Sequence, residues 1–199
     1  MTAPTPVLAI CGSRRDESAT RAALLAALDE ADAAGATTEL LDLRSFDLPP
    51  LDADVDAENQ GDGARLLHAV DGADAVLLGT PVYHGSYSGV LKNALDYCGF
   101  DEFEEKTVGL LAVSGGSFPV TALDHLRSVC RALNCWVVPH QAAIPQAYKH
   151  VTYEDGESHI DDETLEERVR ILGRRAVQYA NIEPDPSTFE AGENVGAGD

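Results

Sequence analysis

Short apolar runs alternate with amphipathic segments along most of this chain, and this alternation constrains the fold more than any other feature of the sequence. Each run ends at small or turn-forming residues, which is typical of strands buried on both faces of a parallel sheet. We predict five strands, at Val7–Cys11, Thr38–Leu43, Ala75–Leu78, Thr107–Val113 and a fifth that begins at Trp136–Val138.

The segments between these strands carry apolar residues at helical spacing. A strand–helix alternation of this kind implies a parallel sheet covered by helices on both faces, and we predict a doubly wound α/β fold. We predict helices at Ser18–Ala34, Ala64–Val70, Ser86–Tyr97, Thr121–Leu133 and Thr164–Tyr179.

The length of 199 residues suits a single domain, which we assign to residues 1–182. Residues 183–199 contain five acidic side chains, no basic one and several Gly and Pro residues. We expect this tail to be disordered, because it cannot bury enough apolar surface to offset the entropy of ordering. The sequence contains no run of about eighteen apolar residues and no basic signal-peptide start, so we expect a cytoplasmic protein without a membrane span.

The charge is strongly negative, with 34 acidic residues against 14 basic ones and a formal net charge of −20. Such a surface repels nucleic acid and anionic membranes, so we expect neither as a partner. Because the acidic residues are spread along the chain, we favour a halophile's surface over a local docking face for a partner. In molar salt the Debye length falls to about 3 Å and self-repulsion is screened. We therefore expect a lower melting temperature in dilute buffer than in molar KCl.

The four cysteines are spaced irregularly, at Cys11, Cys98, Cys130 and Cys135. None forms a CxxC pair, and no histidine lies at the spacing of a zinc finger. We therefore predict free thiols, mostly buried, and no metal site.

Polar and glycine-containing segments follow three of the predicted strands, where ligands bind in open α/β sheets. The first, residues 12–20, lacks both the dinucleotide fingerprint and the Walker A pattern. Its hydroxyls, its two arginines and the following helix N-terminus suit a phosphate monoester. The residues concerned are Ser13, Arg14, Arg15, Ser18 and Thr20. The alternative is that Ser18 only caps the helix.

The second segment begins at Gly79, and Pro81 and Gly85 predict a turn with exposed amides. Tyr83, His84 and Tyr87 could stack on a planar ligand or pack as ordinary side chains. The third segment is Ser114–Ser117, whose Gly115 and Gly116 would let the backbone approach a ligand closely or simply form a turn.

Residues 80–96 read Thr-Pro-x-Tyr-x-Gly-Ser-x-x-Gly-x-Leu-Lys-Asn-x-Leu-Asp, and residues 12–18 read Gly-Ser-x-Arg-x-x-Ser. Together these motifs resemble those of the NADPH-dependent FMN reductase family, which includes FMN, quinone, azo-dye and chromate reductases. The resemblance extends from Val7 to about Trp136. It implies a flavodoxin-like fold with strand order 2-1-3-4-5, FMN as the cofactor and NADPH or NADH as the electron donor.

The resemblance also implies the cofactor-binding residues. Those for the FMN phosphate are Ser13, Arg15, Ser18 and Thr20, and those along the ring are Pro81, Val82, Tyr83, His84 and Gly85. Ser114, Gly115 and Gly116 would face the pyrimidine edge, where amides stabilise negative charge on the reduced ring. Many members have asparagine in place of Thr20 and His84. No catalytic residue is assigned, although Tyr83 and His84 are candidates.

By the same resemblance we expect an NAD(P)H-dependent oxidoreductase with a ping-pong cycle. Hydride would pass from NAD(P)H to the flavin and then to a small acceptor such as a flavin, a quinone or an azo compound. We also expect a homodimer or homotetramer, with Lys92–Phe100 and the following loop in the interface. The alternative is a flavodoxin-type electron carrier without NAD(P)H turnover, whose acidic surface would bind basic partners.

Overall fold

The computed structural model describes residues 3–154 and 157–180, so the predicted tail at 183–199 lies outside the described residues. The central sheet contains five parallel strands in the order β2-β1-β3-β4-β5, which confirms the predicted doubly wound, flavodoxin-like fold. These strands are β1 Pro6–Cys11, β2 Thr37–Asp42, β3 Ala75–Pro81, β4 Thr107–Val113 and β5 Trp136–Val137.

The strand next to β4 is interrupted, which the sequence did not predict. β5 pairs with the start of β4, and a further short strand, β6 (Ala142–Ile144), pairs with its end. Val138 still donates a backbone hydrogen bond of 2.9 Å to the carbonyl oxygen of Val108. The next residue is Pro139, which has no amide hydrogen to continue the ladder.

Within the described residues, six α-helices accompany the sheet: α1 Ala19–Ala33, α2 Gly63–Asp71, α3 Gly89–Tyr97, α4 Phe100–Phe103, α5 Val120–Ala132 and α6 Glu163–Ala180. Successive residues of β1 point to opposite faces, so Leu8 and Ile10 enter one core while Val7, Ala9 and Cys11 enter the other. The first core lies under α2, α3 and α5, and the second lies under α1 and α6. None of the helices in the described part of the chain is long and apolar enough to cross a membrane.

Helices α1 and α6 pack closely because Gly173 has no side chain at their contact. A Cβ atom on Gly173 would lie 1.9 Å from the carbonyl oxygen of Ala27, which is far inside van der Waals contact. This close approach fixes α1 on its face of the sheet, and the start of α1 forms part of the site described below.

A small antiparallel hairpin precedes α6. Its strands are β7 (Val151–Glu154) and β8 (Glu157–Ile160), and β8 packs against α1 and α6. The sequence did not predict this hairpin, because each strand has only four residues and the last three residues of β7 are exposed.

Candidate functional site

The loop after β1 returns directly into α1, and Ser18 is the N-cap of that helix. The Ser18 hydroxyl accepts a hydrogen bond of 3.1 Å from the backbone N–H of Arg21. Ser18 is buried, so its side chain caps α1 and is not exposed on the open side of the loop.

Arg21 holds this loop in place, although the sequence analysis did not select it. Its guanidinium donates hydrogen bonds to the carbonyl oxygens of Arg15, at 3.4 Å, and Asp16. It also forms an ion pair of 3.2 Å with Asp42 at the end of β2. A cation that bonds two successive carbonyls fixes the path of the backbone between them, so Arg21 positions the predicted phosphate loop.

The segment after β3 forms a tight turn and not the start of a helix. Tyr83 and Ser86 exchange two backbone hydrogen bonds of 3.0 and 3.1 Å across His84 and Gly85. The φ angles of His84 and Gly85 are +51° and +80°, and positive φ at both central residues is typical of a type I′ turn. The helix predicted from Ser86 is therefore wrong at its start, since α3 begins at Gly89.

Ser88 joins the first two loops. Its hydroxyl donates to the carbonyl oxygen of Gly12 at 2.7 Å and accepts from the amide of Leu91 at 3.2 Å, as the N-cap of α3. Its own amide donates to the hydroxyl of Thr80 at 2.9 Å. A Cβ atom on Gly12 would lie 2.8 Å from the Cβ atom of Leu91, so glycine is needed for this close contact.

The third loop follows β4 and is held by the segment after β6. The Ser114 hydroxyl donates to the carbonyl oxygen of Gly116 at 2.6 Å, and the amide of Gln146 donates to the same oxygen at 2.9 Å. Gly115 lies between Ser114 and Gly116 in the sequence, and a Cβ atom on it would meet no protein atom within 4 Å. Neither packing within the chain nor a positive φ explains this glycine, so the space beside it is available to a ligand.

The three loops surround one cleft of about 710 Å³ at the carboxyl ends of β1, β3 and β4. The predicted residues that line it are Ser13, Arg15, Thr20, Pro81, Val82, Tyr83, Ser114 and Gly115. The others do not line it: Ser18 caps α1, His84 and Gly85 form the exposed tip of the turn, and Gly116 contributes its carbonyl to the third loop.

Two further tyrosines line the cleft and were not predicted. Tyr148 lies on the 3-10 turn Ala147–Lys149, and Tyr153 lies on β7. Both follow the last strand of the sheet, and no motif marks them in the sequence. Only the tertiary structure brings this segment back to the first loop.

The cleft contains charges of both signs. Arg14, Arg15, Asp16 and Glu17 all line it, and Asp16 is paired with Arg44. Among the described residues, neither Arg14 nor Arg15 has a carboxylate within 4.0 Å. An anionic ligand would therefore find two arginines that are not engaged by neighbouring carboxylates within the described part of the chain.

The cysteines supply no nucleophile at this site. Cys11 ends β1 beside the first loop, and burial raises the pKa of its thiol to about 11. A thiol with this pKa is protonated near neutral pH and unreactive. All four cysteines are free, and within residues 3–154 and 157–180 no group of His, Cys, Asp and Glu side chains could hold a metal ion.

The strand order and the position of the cleft define a flavodoxin-like α/β protein whose ligand site lies at the carboxyl edge of its sheet. Residues 5–149 match the model of the NADPH-dependent FMN reductase family. The chain therefore belongs to this family.

One sequence relative supports this assignment, and two solved structures share the fold. The FMN-dependent NADPH-azoreductase of Staphylococcus aureus is 42% identical over 112 residues, which are 56% of this chain and 59% of that protein. The flavoenzyme NAD(P)H:(acceptor) oxidoreductase FerB of Paracoccus denitrificans has a similar structure, with a TM-score of 0.72, 22% identity and coverage of 88% of this chain and 97% of FerB. An oxidoreductase from Corynebacterium diphtheriae gives a TM-score of 0.70 at 18% identity, covering 92% and 100% of the two chains.

Proposed function

We propose that this cleft binds FMN and that the protein is an NAD(P)H-dependent oxidoreductase that reduces a small acceptor. The observation that carries the proposal is the convergence of the three predicted loops on one cleft, the first two of which are joined by the hydrogen bond from Ser88 to Gly12. The volume of this cleft, about 710 Å³, is within the range of small-molecule and cofactor sites.

The phosphate end of the ligand would lie at the start of α1. Ser13 and Thr20 offer hydroxyls, Arg15 offers a guanidinium, and the helix N-terminus adds backbone amides and a favourable dipole. These donors fit a phosphate monoester, and Arg21 would keep their loop in the required conformation.

The ring system would lie between the second and third loops. Pro81, Val82 and Tyr83 would bound one side, and the backbone at Ser114 and Gly115 would approach the other. When bound, FMN supplies the hydride-accepting and hydride-donating chemistry of the reaction. The chain binds and orients the ring, and the amides of the third loop would stabilise negative charge at its edge.

We further propose that the acceptor is a planar aromatic molecule, such as a quinone or an azo compound. The exposed tyrosines Tyr83 and Tyr148 line the cleft and offer flat surfaces for stacking. The azoreductase named above reduces an acceptor of this kind, which supports the proposal for this chain.

The test is anaerobic addition of NADPH, or of NADH, to the FMN-loaded protein, with the visible flavin absorbance as the readout. The proposal predicts rapid bleaching by at least one nicotinamide cofactor and recovery of the absorbance when a quinone or azo compound is added. If dithionite bleaches the flavin but neither nicotinamide cofactor does, the electron-carrier alternative replaces the reductase.

Arg15→Ala tests the phosphate end of the site separately. Loss of a charge-assisted hydrogen bond costs about 1.5–3 kcal/mol, so the Kd for FMN should rise roughly tenfold to a hundredfold. The control is Arg175→Ala, which removes an exposed arginine of α6. Equal FMN affinity in the two variants would rule out the proposed role of Arg15.

We also propose that the protein is a homodimer or a dimer of dimers. Phe100, at the start of α4, is 55% exposed and lies in the segment that the family resemblance places in an interface. Sedimentation equilibrium should therefore give a multiple of the 21.2 kDa chain mass, and a monomer at micromolar concentration would contradict this proposal.

A further inference from the structure

The β7–β8 hairpin lies beyond residue 149, where the match to the family model ends. It is nevertheless firmly attached to the site. Val151 is buried in the core beneath α1 and α6, and Ile160 packs against the same core. At the base of the hairpin, the amide of Asp161 donates to the carbonyl oxygen of His150 at 2.8 Å, and the Thr152 hydroxyl donates to the carboxylate of Asp161 at 3.0 Å.

Strand geometry directs Tyr153 into the cleft. Residues two apart on a strand point to the same side, so Tyr153 points the same way as the buried Val151. Tyr153 is 36% exposed and lines the cleft together with Ser13, Arg15 and Thr20. It therefore lies at the end of the cleft that we assign to the phosphate.

Ala19, the first residue of α1, lines the same cleft as Tyr153. Arg15 and Glu17 line the cleft with Tyr153, and Arg15, Arg21 and Glu17 all act electrostatically on its phenol. A phenol O–H is a hydrogen-bond donor, so Tyr153 can donate to an acceptor that binds in the cleft. Burial raises the pKa of the Tyr153 phenol, and the hydroxyl therefore keeps this proton at neutral pH.

We propose that Tyr153 is a phosphate-binding residue whose O–H donates a hydrogen bond to the phosphate of FMN, beside the donors of the first loop. This inference rests on the proposed function, because it takes FMN as the ligand of the cleft. A phosphate bound at the N-terminus of α1 would lie in the cleft that Ala19 and Tyr153 both line.

A neutral donor is useful at this position because the loop is not uniformly positive. Asp16 and Glu17 border the same end of the cleft and would repel a phosphate dianion. A hydroxyl adds a hydrogen bond without disturbing the ion pair of Asp16 with Arg44. The hairpin would thereby favour FMN over riboflavin, which has the same ring and ribityl chain but no phosphate.

The experiment compares the affinities of Tyr153→Phe for FMN and for riboflavin, measured by quenching of flavin fluorescence on binding. The variant removes one oxygen atom and keeps the aromatic ring. We expect the Kd for FMN to rise about tenfold, as the loss of one hydrogen bond to a charged group predicts. The Kd for riboflavin should change less than about twofold, because riboflavin has no phosphate to bind.

Tyr179→Phe is the matched control, because it makes the same chemical change on α6, outside the residues that line the cleft. It should leave both affinities unchanged. An unchanged FMN affinity in Tyr153→Phe would overturn the proposal. An equal loss of FMN and riboflavin affinity would also overturn it, and would indicate that Tyr153 has a packing role. If the wild-type protein bound no FMN, the proposed function would fail as well, whereas normal binding by the wild type confines the failure to Tyr153.

Discussion

The hydroxyl of Ser88 donates a hydrogen bond of 2.7 Å to the carbonyl oxygen of Gly12, so that the cap of α3 is bonded directly to the loop after β1. Ser88 is 1% exposed, and its contact joins parts of the chain that are 76 residues apart. The two loops that carry the family motifs are therefore a single hydrogen-bonded unit, on which the shape of the cleft depends.

Replacement of Ser88 by alanine should destabilise the protein. The variant would lose the cap of α3 and leave the Gly12 carbonyl buried without this donor, at a combined cost of about 2–3 kcal/mol. Urea unfolding measures this difference. Ser128→Ala, an exposed change on α5, is the control and should stay within about 0.5 kcal/mol of wild type. Similar unfolding midpoints for the two variants would contradict the role of Ser88.

Gly115→Ala should weaken FMN binding without loss of stability. The added methyl group meets no protein atom within 4 Å, so the fold accommodates it, but it would occupy the space that we assign to the flavin ring. The control is Gly89→Ala, which also enters open space but lies outside the cleft. We expect no loss of melting temperature in either variant and an FMN Kd raised at least about tenfold in Gly115→Ala alone. Unaltered FMN binding would place the ring elsewhere.

Arg21→Met should loosen the first loop and weaken FMN binding indirectly. Methionine has a helix propensity close to that of arginine, so α1 should persist, while the bonds to the carbonyls of Arg15 and Asp16 are lost. We expect the FMN Kd to rise about tenfold, with faster amide hydrogen exchange in residues 12–18. Arg175→Met is the matched control on α6. Wild-type exchange rates in this loop would show that Arg21 does not position it.

The buried thiol of Cys11 predicts a loss of stability at alkaline pH. Burial raises its pKa from 9.0 to about 11, so the unfolded chain releases a proton that the folded protein retains. This contribution is fully present below pH 9 and is lost as the pH rises to 11, at a total of about 2–3 kcal/mol. The free energy of unfolding of Cys11→Ala should therefore fall less steeply with pH over this interval. Identical slopes for the two proteins would refute the assignment.

The sheet could be predicted because each buried strand is a short apolar run with a clear end. The core helices were also predicted, since their apolar faces repeat at helical spacing. Local signals failed where tertiary contacts decide the structure. Pro139 divides the fifth strand position into β5 and β6, and the β7–β8 hairpin depends on packing against α1 and α6.

The candidate site was predictable only as far as its motifs extend. Ser13, Arg15 and Tyr83 lie in recognisable loops that follow strands, and these loops converge because parallel strands end at one edge. Arg21 was missed because its role depends on Asp42 and on loop carbonyls, which leave no pattern in the sequence. Tyr153 was missed because its hairpin reaches the site only after folding.

The central claim is that one cleft at the carboxyl ends of β1, β3 and β4 binds FMN. The most direct measurement is the visible absorbance spectrum of the purified protein, followed by release of its chromophore and identification by mass. We predict a yellow protein, or one that takes up added FMN to about one molecule per chain, and release of intact FMN. A colourless preparation that also fails to bind added FMN would contradict the account.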